Sequence, residues 1–184
     1  QAFAINQVLK YIDNKPQEAL PKLLAWADQF DKDDLYLTQR TAVRRIMEDP
    51  DNNWMRLLNS FWTDIDSEVR KVFFRNFIVN ASLLGSRKQH AAREKYGCNI
   101  PWAILMDPTS ACNLQCKGCW AAEYGNKLNL TYEELDNIIN QANELGTYMF
   151  LYTGGEPLVR KKDLIRLCEA HPDCVFSSFT NGTL

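Results

Sequence analysis

The chain has 184 residues, of which 46% are hydrophobic and 24% are charged, and this is the composition of a soluble globular protein with one substantial core. Its formal net charge of −2 does not favour a protein that neutralises nucleic-acid phosphates. No stretch free of charged residues approaches the about 20 apolar residues of a membrane-spanning helix, so we expect no membrane span. The chain begins Gln1-Ala2-Phe3, with neither a methionine nor a signal-peptide pattern, and we expect a trimmed rather than a targeted start.

Residues 1–96 carry the apolar periodicity of α-helices. Trp54, Leu57, Leu58 and Phe61 follow the spacing i, i+3, i+4, i+7 of one helix face. We interpret the aromatic residues of this region as core rather than as a binding surface. We therefore predict an all-helical N-terminal domain over residues 1–96. Helical spacing recurs in two further sets: Leu20, Leu23, Leu24 and Ala27, and Val69, Phe73, Phe77 and Ala81.

From residue 97 the pattern changes to alternating strands and helices. Between the predicted strands, Thr131–Glu134 has the form of a helix-capping box, and Lys161–Ala170 predicts a second helix. Alternation at this length favours parallel strands joined by right-handed helical crossovers, so we assign residues 97–184 to the α/β class. The three predicted strands are short apolar runs: Trp102–Met106, Tyr148–Tyr152 and Cys174–Phe179.

Three of the six cysteines, Cys112, Cys116 and Cys119, lie close together in the sequence. Tight clustering in an otherwise ordinary domain favours reduced thiols that ligate a metal over a disulfide framework, which is typical of small secreted chains. We therefore expect a cytoplasmic protein with a metal centre.

Three motifs follow the three predicted strands. The cysteine cluster comes after the first strand, Thr153–Pro157 (Thr-Gly-Gly-Glu-Pro) after the second, and Thr180–Thr183 (Thr-Asn-Gly-Thr) after the third. Because the carboxyl ends of parallel strands meet at one edge of a sheet, we expect these motifs to form one site there.

Three thiolates on one loop suit an iron–sulfur cluster. The Cys-x3-Cys-x2-Cys spacing differs from that of zinc fingers and of bacterial ferredoxins. Three thiolates can hold three irons of a [4Fe–4S] cluster and leave the fourth open to a small molecule. The adjacent glycines Gly154 and Gly155 allow a backbone to approach closely, Glu156 adds a charge, and Pro157 stiffens the exit.

The segment Cys112–Cys119, Cys-Asn-Leu-Gln-Cys-Lys-Gly-Cys, followed by Gly154–Pro157, resembles the radical S-adenosylmethionine (radical SAM) superfamily, in its molybdenum-cofactor-biosynthesis and peptide-maturase branch. Thr180–Gly182 is similar to the third-strand ending common in that branch. The resemblance covers about Ile104 to Thr183, less than half of the chain.

This resemblance implies a [4Fe–4S] cluster held by Cys112, Cys116 and Cys119, with S-adenosyl-L-methionine on the fourth iron. It implies reductive cleavage of S-adenosyl-L-methionine to a 5′-deoxyadenosyl radical, which abstracts hydrogen from an unknown small-molecule or peptide substrate, and an electron donor such as flavodoxin or ferredoxin. The residues it assigns to S-adenosyl-L-methionine are Gly154, Gly155 and Glu156 at the methionyl amine, Pro157 in the same motif, and Thr180 and Asn181 nearby.

The sequence departs from the family at Gly118, where the family usually carries an aromatic residue that packs on the adenine. We hypothesise that Trp120 takes over part of this contact. The alternative is that Trp120 packs in the core.

Two alternatives come from other functional classes. In the first, the chain is a non-catalytic interaction module that binds zinc or an iron–sulfur cluster. A zinc ion would be held by the three cysteines and either Cys98 or Cys174, although neither lies at the close interval typical of structural sites. In the second, the helical region is an interaction module to which the motif region is merely attached. We expect Cys98 and Cys174 to lie far from the site and Cys168 to pack in the core.

The length from Pro101 to Leu184 gives room for three βα units of about 30 residues each. The resembling family uses six units in a partial barrel, so we expect the first three units of a (β/α)6 barrel. An open sheet edge then needs cover from a missing C-terminal half or a second copy. We expect the 184 residues alone to bind a cluster but to turn over poorly.

Overall fold

A computed structural model describes residues 11, 16–30, 34, 36–125 and 127–184. The chain divides into two compact units, Gln1–Arg75 and Asn76–Leu184. Among the described residues, no helix combines the length and the apolar character needed to cross a membrane.

The described part of the first unit is helical, as predicted. The side chain of Asn52 caps α3 by accepting a hydrogen bond from the Met55 backbone N–H, and Asp66 caps α4 in the same way. A short linker that ends in a capping residue therefore precedes each of α3 and α4. The described helices of this unit are α1 (Pro16–Phe30), α2 (Leu37–Met47), α3 (Asn53–Thr63) and α4 (Ser67–Phe74).

The expectation that the aromatic residues of this unit form its core is wrong for Trp54, which is 63% exposed. α3 has no buried side chain, so the described helices of this unit do not cover its apolar face completely. Phe61 and Phe73 do stack, with ring centroids 5.8 Å apart. The unit also buries Arg70, whose guanidinium donates to the backbone carbonyls of Phe61 and Ile65. The side chains of Leu20 and Leu23 lie outside the described residues.

The second unit contains a parallel sheet of three strands in the order β1-β2-β3, which confirms the predicted topology. Ala103 is paired with Met149 and Met149 with Val175, so the strands are in register. Each strand is slightly shorter than its predicted run. The elements in chain order are a π-helical segment (Arg75–Leu84), α5 (Gly85–Tyr96), β1 (Ala103–Met106), a 3₁₀ turn (Trp120–Tyr124), α6 (Tyr132–Leu145), β2 (Met149–Tyr152), a 3₁₀ turn (Pro157–Arg160), α7 (Lys161–Ala170) and β3 (Val175–Ser178).

α6 begins and ends where its sequence predicts. Thr131 Oγ1 accepts from the Glu134 backbone N–H at 3.1 Å, and Glu134 Oε2 accepts from the Thr131 backbone N–H at 2.7 Å, so the capping box is confirmed. Gly146 ends the helix with a φ of 95°, a left-handed conformation that favours glycine. Local sequence therefore fixes both ends of this crossover helix.

One face of the sheet packs against α6 and α7. Phe150 on β2, Leu135 and Ile139 on α6, and Leu167 on α7 are fully buried in this core. On the opposite face of β1, Leu105 is 62% exposed, as the alternation of side chains along a strand requires when only one face is covered.

The helices at residues 76–96 pack on the amino end of the sheet. A Cβ atom on Gly85 would lie 2.5 Å from the Gly146 carbonyl oxygen, so the backbones of α5 and the α6–β2 turn touch directly. The buried Asn76 Nδ2 donates to the carbonyls of Pro172 (2.8 Å) and Cys174 (2.9 Å) just before β3. This compact unit therefore starts upstream of residue 97, where the strand pattern begins, and the predicted domain limits, 1–96 and 97–184, stay a prediction.

Candidate functional site

The three predicted motifs come together at the carboxyl end of the sheet. The Thr153 backbone N–H donates to the Met106 carbonyl at 2.9 Å, and the Phe179 N–H donates to the Tyr152 carbonyl at 2.9 Å. These bonds continue the strand pairing into the segments that carry the motifs. The loop after β1 therefore lies beside Thr153–Pro157, which lies beside the loop after β3.

The glycine pair lies directly on the backbone that leads into the cysteine loop. A Cβ atom on Gly155 would lie 2.2 Å from the Ala111 carbonyl oxygen, and one on Gly154, at a φ of 105°, would lie 2.6 Å from that of Thr109. The Gly155 N–H donates to Thr109 (3.1 Å) and the Glu156 N–H to Ala111 (2.8 Å). The glycines therefore do allow a close backbone approach, and in this structure the backbone that they contact is that of Thr109 and Ala111.

Glu156 is a buried anchor between two motifs, with only 1% of its surface exposed. Its Oε1 accepts from the Leu158 N–H and from Thr180 Oγ1, both at 2.9 Å, and its Oε2 accepts from the Asn181 N–H at 2.7 Å. Burial alone raises the pKa of Glu156, but the hydrogen bonds from Asn181, Leu158 and Thr180 together hold that pKa below its usual value. The charged carboxylate therefore ties Thr153–Pro157 to the loop after β3.

Asn113, which the sequence reasoning missed, connects the cysteine loop to the loop after β3. Its Oδ1 accepts from Asn181 Nδ2 at 2.9 Å, and its Nδ2 donates to Thr183 Oγ1 at 2.8 Å. Its place directly after Cys112 was the only signal that the sequence offered.

The three cysteines of the motif lie on one loop but are not gathered. Cys112 is half-buried, whereas Cys116 and Cys119 are exposed, and all three are free thiols. Within the described ranges, no three His, Cys, Asp or Glu side chains lie together as a metal-binding group. The three thiols fit an iron–sulfur cluster in their chemistry, since thiolates are the usual ligands of such clusters. The glycine pair contacts the backbone that leads directly into the cysteine loop.

The remaining cysteines are separate from this loop. Cys174 is buried before β3, at the amino end of the sheet, where burial raises the pKa of its thiol to about 11. Cys98 is exposed. Cys168 on α7 is also exposed, so the expectation that it packs in the core is wrong.

Trp120 does not pack in the core, because it is 63% exposed and meets Tyr124 edge to face with ring centroids 5.8 Å apart. Gly118 has a φ of 74°, and no described atom lies within 4 Å of where its Cβ would be. The structure therefore leaves Trp120 available for an external contact.

Comparison with known proteins identifies a family for the part of the chain that carries the motifs. Residues 106–184 match the Radical SAM superfamily, and the matched segment contains all three motifs. This part of the chain belongs to the radical SAM superfamily. The members of that superfamily are enzymes.

Three curated relatives are similar to parts of this chain. PqqA peptide cyclase from Bradyrhizobium diazoefficiens is 33% identical over 88 residues, which are 47% of this chain and 22% of that protein. GTP 3',8-cyclase from Geobacter sulfurreducens is 46% identical over 72 residues, 37% of this chain and 22% of that protein. An uncharacterized protein from Archaeoglobus fulgidus is 32% identical over 130 residues, 68% of this chain and 29% of that protein.

The chain thus covers between 22% and 29% of the length of these three relatives. No solved structure matches this chain.

Proposed function

We propose that the carboxyl end of the sheet binds a [4Fe–4S] cluster through Cys112, Cys116 and Cys119, and binds S-adenosyl-L-methionine beside it. The observation that carries this proposal is that the three family motifs meet at one end of the sheet, with the glycine pair seated on the backbone that enters the cysteine loop. In this proposal Gly154–Pro157 lies at the methionyl amine, and Thr180–Asn181 lies nearby.

The cluster, when bound, would supply the electron for reductive cleavage of S-adenosyl-L-methionine. The chain's own residues would hold and orient the reactants. The three thiols would hold the cluster irons. Gly155 lets two backbone segments lie closer together than any side chain would allow, and buried Glu156 keeps the loop after β3 in place. Trp120 offers an exposed aromatic face for the adenine in place of the residue missing at Gly118.

We extend the proposal to the whole protein as follows. Residues 97–184 would form the first half of a partial (β/α)6 barrel, with residues 1–96 as a helical domain. The reaction would be hydrogen abstraction from a peptide or a small molecule, the two classes of substrate that the names of the relatives represent. Flavodoxin or ferredoxin would be the electron donor, and the free thiols favour a cytoplasmic location.

Anaerobic reconstitution with iron and sulfide tests the cofactor proposal. We expect a brown protein with about four irons per chain, and loss of most of this iron in Cys112→Ala. Cys98→Ala is the matched control, since Cys98 is an exposed thiol outside the motif, and it is expected to keep the iron. S-adenosyl-L-methionine binding and 5′-deoxyadenosine formation are then measured on the loaded protein. A colourless chain that binds one zinc tightly would support the interaction module instead.

Replacement of Trp120 tests the adenine contact. Stacking of a base on an aromatic side chain contributes about 1–3 kcal/mol, so we expect Trp120→Ala to bind S-adenosyl-L-methionine about 5- to 150-fold more weakly in calorimetry. Trp102→Ala is the control, because Trp102 is also exposed but precedes β1 at the other end of the sheet. Unchanged affinity in Trp120→Ala would contradict the contact.

A further inference from the structure

The side chains of Asn113, Asn181 and Thr183 form a closed ring of hydrogen bonds. Asn181 Nδ2 donates to Asn113 Oδ1 (2.9 Å), Asn113 Nδ2 donates to Thr183 Oγ1 (2.8 Å), and Thr183 Oγ1 donates to Asn181 Oδ1 (2.7 Å). Each member both donates and accepts within the ring. In such a closed arrangement each bond polarises the next, so loss of one member weakens the others.

The ring joins two segments that are far apart in sequence and lie at different strands. Asn113 belongs to the cysteine loop after β1, and the other two members belong to the loop after β3. Asn181 is held independently, because its backbone N–H donates to the buried carboxylate of Glu156 at 2.7 Å. The ring therefore links the cysteine loop to an anchor inside the protein.

The first cysteine of the motif directly precedes the ring. Cys112 is half-buried, whereas Cys116 and Cys119, which follow beyond the ring, are exposed. On the other side of Cys112, the Ala111 carbonyl accepts from the Glu156 N–H at 2.8 Å. Cys112 is thus held from both sides, by Ala111 and by Asn113, and both attachments lead to Glu156.

We propose that Asn113 is a positioning residue that fixes Cys112 at the carboxyl end of the sheet before any ligand binds. The inference rests on the proposed function, in which Cys112 is a cluster ligand. Asn113 itself touches neither iron nor S-adenosyl-L-methionine in this role. It sets the place of one thiol, and the other two close on the cluster from the exposed part of the loop.

The first test uses the ligand-free 184-residue chain and so does not depend on the proposed function. Alkylation of each cysteine by iodoacetamide is followed over time by mass spectrometry of the peptides, with exposed Cys98 as the internal reference. We expect Cys112 to react more slowly than Cys116 in the parent chain. In Asn113→Ala we expect the Cys112 rate to rise about tenfold, which corresponds to 1.4 kcal/mol, with the Cys98 rate unchanged.

Thr183→Val provides a second route to the same result, because it removes the hydroxyl from the ring and keeps the branched shape. If the ring acts as one unit, the double variant Asn113→Ala/Thr183→Val reacts no faster at Cys112 than either single variant. The matched control is Gln141→Ala, which removes one exposed amide hydrogen bond on α6, far from the ring in sequence. Unchanged Cys112 rates, or single effects that add in the double variant, would overturn the proposal.

A second readout separates this inference from the proposed function. After anaerobic reconstitution, the electron paramagnetic resonance spectrum of the reduced protein is titrated with S-adenosyl-L-methionine. We expect Asn113→Ala to need about tenfold more ligand for the same spectral change. If the parent chain holds no cluster, the proposed function fails whatever the alkylation rates show. If the parent holds a cluster and Asn113→Ala matches it in both readouts, the positioning role fails.

Discussion

At both ends of the parallel sheet, a glycine makes a close backbone contact and an asparagine makes hydrogen bonds to a neighbouring segment. The two ends differ in how exposed and how charged the groups beside these contacts are. At the amino end, Gly85 of α5 touches the backbone at Gly146, and Asn76 donates to two carbonyls before β3. At the carboxyl end, Gly155 touches the backbone before the cysteine loop, and Asn113 spans to the loop after β3.

The difference lies in burial and charge. Asn76 is buried and its partners are backbone carbonyls, so this contact at the amino end is uncharged and serves packing. Asn113 is exposed, and the network that it joins contains a buried carboxylate, Glu156, beside free thiols. Similar residue types therefore build a packing contact at one end and a rigid frame for exposed, reactive groups at the other.

The largest effect is expected for Gly155→Ala. Its Cβ would lie 2.2 Å from the Ala111 carbonyl oxygen, and neither backbone can move without breaking the bonds that join them. We expect a loss of about 3 kcal/mol or more in the free energy of unfolding, measured in urea. Gly182→Ala is the control, because it meets open space and costs only the strain of a φ of 70°, about 1 kcal/mol. Equal losses in the two variants would contradict this account.

Asn76→Ala tests the amino end. The variant leaves the buried Cys174 carbonyl and the partly buried Pro172 carbonyl without this donor, for which we expect a loss of about 2 kcal/mol in the free energy of unfolding. Alkylation of Cys112 is expected to stay at the parent rate, because the change lies at the other end of the sheet. The control is Asn140→Ala, an exposed side chain with one hydrogen bond to Asp136, with an expected loss within about 0.5 kcal/mol. Faster alkylation of Cys112 in Asn76→Ala would mean that the two ends are coupled.

Glu156→Gln removes the charge of the Glu156 side chain at the carboxyl end of the sheet and keeps its shape. The pKa of Glu156 is lower in the folded protein than its ordinary value of 4.5. The charge of Glu156 therefore makes its full contribution to stability at a pH above 4.5, and this contribution is lost as the pH falls through the lower folded-state pKa. At pH 7 we expect Glu156→Gln to unfold more easily by about 2 kcal/mol, since hydrogen bonds to a charged acceptor are replaced by weaker ones. The gap between parent and variant should narrow below pH 4.5. Parallel pH curves for the two proteins would show that the carboxylate charge contributes nothing.

The smallest effect is expected for Thr131→Ala, which removes the cap of α6 at the carboxyl end of the sheet. Loss of such a cap costs about 1 kcal/mol of unfolding free energy. Thr131→Ser keeps the capping oxygen and is expected to stay near the parent. A larger loss in Thr131→Ala than in Asn76→Ala would contradict this prediction, because it would mean that the cap stabilises the fold more than the buried contact at the amino end does.

The features that could be predicted from sequence depend on neighbours in the chain. The capping box of α6 needs only Thr131 and Glu134, and the three strands show as short apolar runs. Parallel pairing then followed from the helical crossovers, and this put three motifs at one end of the sheet before their contacts were known. The radical SAM relationship was likewise carried by local spacing, and it is confirmed.

The rest depends on contacts between distant residues. Nothing near Asn113 in the sequence indicates that its partners are Asn181 and Thr183, and nothing near Gly85 indicates that it touches Gly146. The spacing of Trp54 with Leu57 and Phe61 predicts a helix face, but it does not show whether neighbouring elements cover that face. In the structure Trp54 is exposed. Helical periodicity identifies an apolar face but not the partner that buries it.

The contact between Gly155 and Ala111 has a consequence for how such sequences are read. A side chain at position 155 is excluded by the fold itself, whether or not the protein binds iron. A descendant that lost its cysteines would still be expected to keep this glycine, because a side chain there would collide with the Ala111 carbonyl oxygen, and to gain stability from the neighbouring Glu156. This glycine therefore reports on the fold, and only the cysteines would report on chemistry that is still in use.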